Sequence, residues 1–262
     1  MAEKFIEGRV VSRRDYSDSL FALRFEADIE PFVAGQYCRL GLVLPPCTVE
    51  QSSTTEPVLT MRPYSLVNAP DERPHEVVIT VVPASAGGVL TPALHRLQAG
   101  DALCVGPRAN GFFSLPEVPG APVLWALSTG TGNGAFLSML KTAQAWQQFE
   151  RIVLVHAVRH AEELTYAEQI DQLLIRHGKR FRYLPIVSRA VVSGTLSGRI
   201  PALIASGDIE RQAGVALTRD TAHCMLCGNP QMVADTLAIL ESKGLRKHRR
   251  RTPGQITTEA YW

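Results

Sequence analysis

The rhythm of this chain changes once, and that change limits what it can fold into. As far as residue 115, apolar residues fall in short β-type runs at 8–14, 20–26, 37–44, 61–67, 76–83 and 101–106. Turn residues bound most of them, among them Pro31, Ala34-Gly35, Pro45-Pro46, Asn68-Ala69-Pro70 and Gly100-Asp101. Many short strands with frequent turns specify a sandwich or a barrel. One helix interrupts at 91–98, with Thr91 as N-cap and Pro92 at the first helical position, where a missing N–H costs nothing. Residues 47–56 are polar and aperiodic and read as an exposed loop.

Leu115-Pro116-Glu117-Val118-Pro119-Gly120 reads as a linker. Beyond it, apolar strand-like runs at 123–127, 151–158, 181–187 and 223–227 alternate with helical segments at 134–147, 163–177, 201–206 and 230–243. That alternation gives a parallel sheet covered on both faces. In such a sheet the ligand lies at the carboxyl ends of the strands.

Composition removes some functions. A chain of 262 residues with a net charge of +2 has no global field for nucleic acid. The charge is uneven, however, with a basic run at Arg246, Lys247, His248, Arg249, Arg250 and Arg251. Residues 1–16 are dotted with charges and lack an apolar signal core, and the most apolar stretch, 121–140, is broken by glycines at 130, 132 and 134. These features lead us to expect a cytoplasmic protein with no membrane association. Five scattered cysteines fit a reduced compartment. Cys224 and Cys227 form a C-x-x-C, but no second pair completes a zinc site, and in a strand the two would face opposite ways.

Several short motifs point to a nucleotide. In a strand, Arg62 and Tyr64 of Arg62-Pro63-Tyr64-Ser65 share a face, which sets a fixed cation beside an amphipathic ring. That pair suits a ligand with a phosphate and a flat aromatic group, such as a flavin dinucleotide. The plainer alternative is an edge strand with one exposed arginine and one half-buried tyrosine. Gly87-Gly88-Val89-Leu90-Thr91 is a candidate phosphate cradle before the short helix, and Thr129-Gly130-Thr131-Gly132-Asn133-Gly134 is another between the first buried strand and its helix. Arg159, Ser188-Arg189 and Arg199 follow strand ends, where they can gather on a 2′-phosphate and select NADP over NAD. They could equally be surface arginines, and Glu162 or Glu163 could neutralise Arg159. In Cys227-Gly228-Asn229-Pro230, Asn229 can cap and Pro230 can start the last helix, while Gly228 permits close approach of a nicotinamide. The terminal Tyr261-Trp262 would cover a flat cofactor or complete the core.

Taken in this order along nearly the whole chain, these motifs closely resemble those of the bacterial ferredoxin/flavodoxin–NADP reductases. The resemblance implies an FAD-binding antiparallel β-barrel over 1–115. It also implies an NADP-binding, Rossmann-like α/β domain over 121–262, whose aromatic tail returns to the flavin. Arg62 and Pro63 would hold FAD, Tyr64 would pack on one flavin face, and Ser65 would sit near N5. Val78, Ile79, Thr80, Val89, Leu90, Thr91 and Thr131 would line the rest of the FAD site, with Tyr261 on the opposite ring face and Trp262 at the adenine. Val158, Arg159, Ser188, Arg189, Arg199, Gly228 and Asn229 would hold NADP. Ser65, Cys227, Glu259 and Tyr261 would border the reacting atoms. The implied reaction is hydride transfer from NADPH to flavin N5, then single-electron release to ferredoxin or flavodoxin. The basic run itself suggests that an acidic carrier would dock on Arg246, Lys247, Arg249, Arg250 and Arg251 of a monomer, with a solvated loop before Pro253-Gly254 as an equal alternative. The family often has a proline after its glycine loop, where this chain has Ala135. An NADPH:flavin or quinone reductase and a non-catalytic flavin-binding redox module are the alternatives.

Overall fold

A computed structural model describes residues 5–45 and 56–260. The chain divides into two compact units, Met1–Gly111 and Phe112–Trp262. In the first, strands β1 (Ile6–Ser17), β2 (Leu20–Glu26), β3 (Tyr37–Leu44), β4 (Val58–Ser65), β5 (His75–Thr80) and β6 (Ala102–Val105) form one antiparallel sheet in the order β4-β3-β6-β1-β2-β5. Its two outer strands do not stay unpaired. Just past β4, Leu66 bridges Val77 of β5, and the Val67 N–H donates to the Glu76 carbonyl at 2.9 Å. These contacts close the sheet into a barrel just beyond β4, while the rest of β4 keeps one side without a ladder. Phe21, Leu23, Phe25, Leu40 and Ile79 fill its core. Pro63 is tolerated in β4 because that strand ends the sheet and has a side without ladder partners.

The helix foreseen at 91–98 is α1 (Leu90–His95), and it starts one residue early with Val89 at the cap position. Thr91 is therefore not the N-cap. Leu90 and Leu94 are drawn into the barrel core, and Thr91 Oγ1 instead accepts the Val82 N–H at 2.8 Å.

The second unit is a six-stranded sheet of β7 (Val123–Thr129), β8 (Arg151–Val158), β9 (Phe181–Val187), β10 (Leu196–Ser197), β11 (Ala222–Gly228) and β12 (Ile256–Ala260), in the order β10-β9-β8-β7-β11-β12. Every neighbouring pair is parallel. Helices α2 (Asn133–Leu140), α3 (Ala143–Gln148), α4 (Ala167–His177), α5 (Ile200–Ala205), α6 (Asp208–Ala213) and α7 (Pro230–Ser242) connect them. Trp125, Leu127, Val153, Val155, Ile186 and Cys224 share one core cluster.

The helix expected over 134–147 is broken. Lys141-Thr142 separates α2 from α3, with Thr142 Oγ1 donating to the Met139 carbonyl at 2.7 Å and Trp146 Nε1 to the Leu140 carbonyl at 2.8 Å. The helix expected from 163 begins at Ala167, because Ala161–Glu163 forms a separate 3₁₀ turn, whose Glu163 carboxylate accepts the His160 N–H in a capping box and also holds Arg159. Among the described residues, no helix is long and apolar enough to cross a membrane.

Candidate functional site

Arg62 and Tyr64 lie on β4, opposite Leu40 and Cys38 of β3. Cross-strand partners point to the same side, so the pair sits on the face that carries Leu40 and Cys38 into the core. Arg62 is exposed, and among the described residues its guanidinium donates only to its own neighbour, the Met61 carbonyl, at 2.9 Å. Tyr64 is half-buried, and its hydroxyl oxygen is enclosed without a partner among the described residues. Burial pushes its phenol above the ordinary range, against the lowering influence of Arg62. A forked cation and an unanswered hydroxyl thus share one strand face, as a phosphate-bearing aromatic ligand requires. Ser65 is the last residue of β4 and alternates away from Tyr64.

The glycine loop before α1 is built against the end of the barrel. Gly87 has φ +79°, and a Cβ on Gly88 would lie 1.8 Å from the Val82 carbonyl oxygen. Only glycine permits that approach. Val89 and Thr80 are exposed beside buried Val78. Ile79 and Leu90 are core residues, so their side chains serve the barrel and only their backbone is available to a ligand.

At the carboxyl edge of the second sheet, β7 ends at Thr129 and a 3₁₀ turn, Gly130–Gly132, carries Thr131 into α2. Gly130 has φ +54°, and its carbonyl accepts from His156 Nε2 at 3.0 Å. Burial drives His156 down to about 4, so the ring is neutral and can hold the loop without importing charge. Asn133 is fully buried, and neither end of its amide has a partner among the described residues. Asn133 entered the sequence reading only as part of the 129–134 loop, and His156 did not stand out at all; its only signal was a polar residue inside an otherwise apolar run.

The loop after β11 packs directly on Thr129. The Asn229 N–H donates to Thr129 Oγ1 at 2.9 Å, and a Cβ on Gly228 (φ +130°) would meet that same oxygen at 2.3 Å. Asn229 Oδ1 caps α7 by accepting from Gln231 N at 2.9 Å and Met232 N at 3.1 Å. Beside them Cys227 is fully buried and pairs in register with Glu259 of β12. Burial raises the Glu259 carboxyl from 4.5 to about 7. Cys224 belongs to the core cluster and Cys227 does not, as opposite faces of one strand require.

The β8 and β9 ends lie side by side. Val158 is buried, and its carbonyl accepts both the Ser188 N–H (3.0 Å) and Ser188 Oγ (3.1 Å), while the Arg189 N–H reaches the Arg159 carbonyl at 3.0 Å. Arg159 is held by Glu163, with Nη2–Oε1 at 2.6 Å and Nε–Oε1 at 3.1 Å. Burial raises the Glu163 carboxyl, but the hydrogen bonds from Arg159 outweigh it and keep the group ionised. Exposed Arg189 and Arg199 have no side-chain hydrogen bond or ion pair among the described residues. Arg199 caps α5 through its backbone.

The basic run is not uniform. Arg250 is tied to Glu117 by two bonds of 2.9 and 3.0 Å and lies 4.3 Å over the Phe112 ring, whereas Arg246, Lys247, Arg249 and Arg251 are exposed. Tyr261 and Trp262 lie outside the described residues.

Comparison with known proteins agrees with this geometry. Residues 126–237 match the model of the oxidoreductase NAD-binding domain family. A flavodoxin/ferredoxin–NADP reductase of Escherichia coli (strain K12) is 41% identical over 98% of this chain and 99% of its own. A ferredoxin–NADP reductase of Pseudomonas aeruginosa is 30% identical over 91% of this chain and 90% of its own. The crystal structure of a ferredoxin NADP⁺ reductase from Neisseria gonorrhoeae with bound FAD and NADP superposes with a TM-score of 0.86 at 30% identity, covering 99% of each chain.

Proposed function

The chain belongs to the flavodoxin/ferredoxin–NADP reductase family, and from that premise we propose which of its residues bind the two nucleotides and the carrier. The protein is an FAD-dependent oxidoreductase that passes electrons between NADPH and ferredoxin or flavodoxin. When bound, FAD supplies the chemistry: it takes a hydride at N5 and returns the electrons one at a time.

The protein's own part is orientation and charge. Arg62 holds the FAD pyrophosphate in its fork, with the Gly87–Thr91 backbone beside it, and Tyr64 gives the ring a face and a hydroxyl. Pro63 keeps β4 rigid at that point, and Val78, Thr80 and Val89 complete the wall. Thr131 lines the FAD site as well, and the backbone of Gly228 and Asn229 receives the dinucleotide of the second unit. Arg189 and Arg199, free of internal partners, grip the 2′-phosphate together with Ser188, while Arg159 is steadied by Glu163. Cys227 and Glu259 border the nicotinamide, and Ser65 lies near N5. Tyr261 and Trp262 cover the flavin. Arg246, Lys247, Arg249 and Arg251 steer an acidic carrier to a monomeric, cytoplasmic enzyme. The domain limits we assign are those of the two rhythms, 1–115 and 121–262.

One observation carries the NADP assignment: two arginines at the carboxyl edge of a parallel sheet with no internal acid to answer them. An anaerobic spectrum of the purified protein tests the whole reading. NADPH should bleach a tightly retained flavin much faster than NADH, and oxidised ferredoxin or flavodoxin should restore the colour. Flavin that washes out on dialysis would instead indicate a diffusible flavin substrate, and no bleaching would indicate a non-catalytic module.

A further inference from the structure

The amino edge of the second sheet, opposite the strand ends that carry Arg159, Arg189 and Arg199, holds a separate concentration of positive charge. β8 begins with Arg151, and the turn Gly178–Arg180 leads into β9, whose second residue is Arg182. Arg182 pairs with Val153, and Arg151 shares Val153's face by the two-residue period of a strand. Both arginines therefore point to the same side. With Lys179, Arg180, Gly214 and Val215 they line a partly enclosed cavity of about 70 Å³.

No acidic residue lines this cavity. Arg151, Lys179 and Arg182 make no ion pair or side-chain hydrogen bond among the described residues. The Arg180 guanidinium donates to the carbonyls of Trp146, Phe149 (2.9 Å) and Glu150 (3.1 Å), which fix its position but leave its charge uncancelled. Nor do these cations serve to cap α6. That helix has six residues, and the N–H groups of Gly214 and Val215 already return to its last carbonyls. Three cations without a partner among the described residues, Arg151, Lys179 and Arg182, thus line one cavity, next to an Arg180 held rigid by its hydrogen bonds.

We propose that this cavity is an anion site for a single phosphate group, either free or as a small phosphate ester. Guanidinium groups offer a tetrahedral dianion forked, charge-assisted hydrogen bonds. The volume suits one such group and falls well below the roughly 300–1,000 Å³ that encloses a drug-sized ligand. The site is distinct from the residues assigned to NADP, and occupancy of one leaves the other open.

Isothermal titration of the full flavin-loaded chain, saturated with NADP⁺, tests this. Inorganic phosphate and glycerol 3-phosphate are titrated separately, with chloride at matched ionic strength as the control. Saturable binding of either anion is expected. It should weaken about tenfold or more in an Arg151→Gln/Arg182→Gln double variant, and it should persist in Arg189→Gln. Tighter binding of glycerol 3-phosphate would identify an ester site, and tighter binding of phosphate a site for the free ion. Lys179→Gln, a change in an exposed turn, should also weaken binding and gives the reading if the double variant does not fold. Absence of saturable binding for both anions overturns the site. So does equal affinity in parent and variants, or loss of binding in Arg189→Gln alone.

Discussion

A methyl group at position 88 would sit 1.8 Å from the Val82 carbonyl oxygen, a contact no backbone shift of a few tenths of an ångström relieves. Gly88→Ala should therefore displace the loop and leave most of the purified protein without flavin, read as flavin absorbance per chain after gel filtration. The arginines of the second unit are unequal for a similarly local reason. Arg159 already holds a carboxylate, while Arg189 and Arg199 do not. Arg189→Gln and Arg199→Gln should each raise the KM for NADPH about tenfold or more with NADH kinetics unchanged, and Arg159→Gln should do so less. If all three variants behave alike, the pairing with Glu163 has no bearing on cofactor selection. Glu259 makes a pH prediction. Its folded-state value, raised by burial from 4.5 to about 7, means that the folded protein holds a proton that the unfolded chain releases. The resulting stability is present below pH 4.5 and is lost as pH rises through 7, by at most about 3 kcal/mol. Urea midpoints should fall from pH 5 to pH 8 more steeply in the parent than in Glu259→Gln. The sequence singled out Arg62, Tyr64, Arg189 and Gly228 as candidates because their types and spacings carry chemistry directly. It did not single out His156, whose part depends on lying under Gly130 across a strand pair that only the folded sheet creates.

At the scale of elements, the turn after β11 does two jobs with adjacent residues. Asn229 caps α7, and its truncation to alanine should cost about 1 kcal/mol. Gly228 lets the loop lie on Thr129 with a left-handed φ that other residues rarely adopt. Gly228→Ala should destabilise the second unit by more, roughly 2–3 kcal/mol, and should weaken NADPH binding, whereas Asn229→Ala should mainly lower the unfolding midpoint. Denaturant melts of both variants with and without NADP⁺ separate the two effects. Strands such as β2, β3, β8 and β9 were legible to the residue, because each is a run of apolar or alternating residues between clear turns. β12 was not. In Ile256–Ala260 only Ile256 is buried, and the strand exists through its ladder to β11 rather than through any period of its own. The break between α2 and α3 was likewise silent, since Lys141 and Thr142 do not interrupt the apolar spacing and a threonine-to-carbonyl bond ends the helix.

For the whole molecule, each unit has its own sheet and its own core cluster, so each rhythm of the sequence became a separate folding problem. The basic run at 246–251 belongs to this scale because the partner we propose for it is another protein. Replacing Arg246, Lys247, Arg249 and Arg251 by glutamine should raise the carrier's KM and flatten its salt dependence without changing NADPH oxidation by a small dye. Arg250→Gln should instead lower the unfolding midpoint, because its guanidinium is spent on Glu117 and Phe112. Equal effects from both variants would count against a docking role. The sequence by itself determined the two fold classes, the order of nearly all the elements and the cofactor-binding motifs, because period, turn chemistry and glycine placement act between neighbours in the chain. Only the tertiary structure decided which cations remain unanswered. Among the described residues Arg159 is paired, Arg189 and Arg199 are free, and Arg250 is anchored. At the far edge Arg151, Lys179 and Arg182 crowd a cavity without an acid. A charge is cancelled by whatever lies near it in space, and spacing along the chain fixes that only within a turn or a strand.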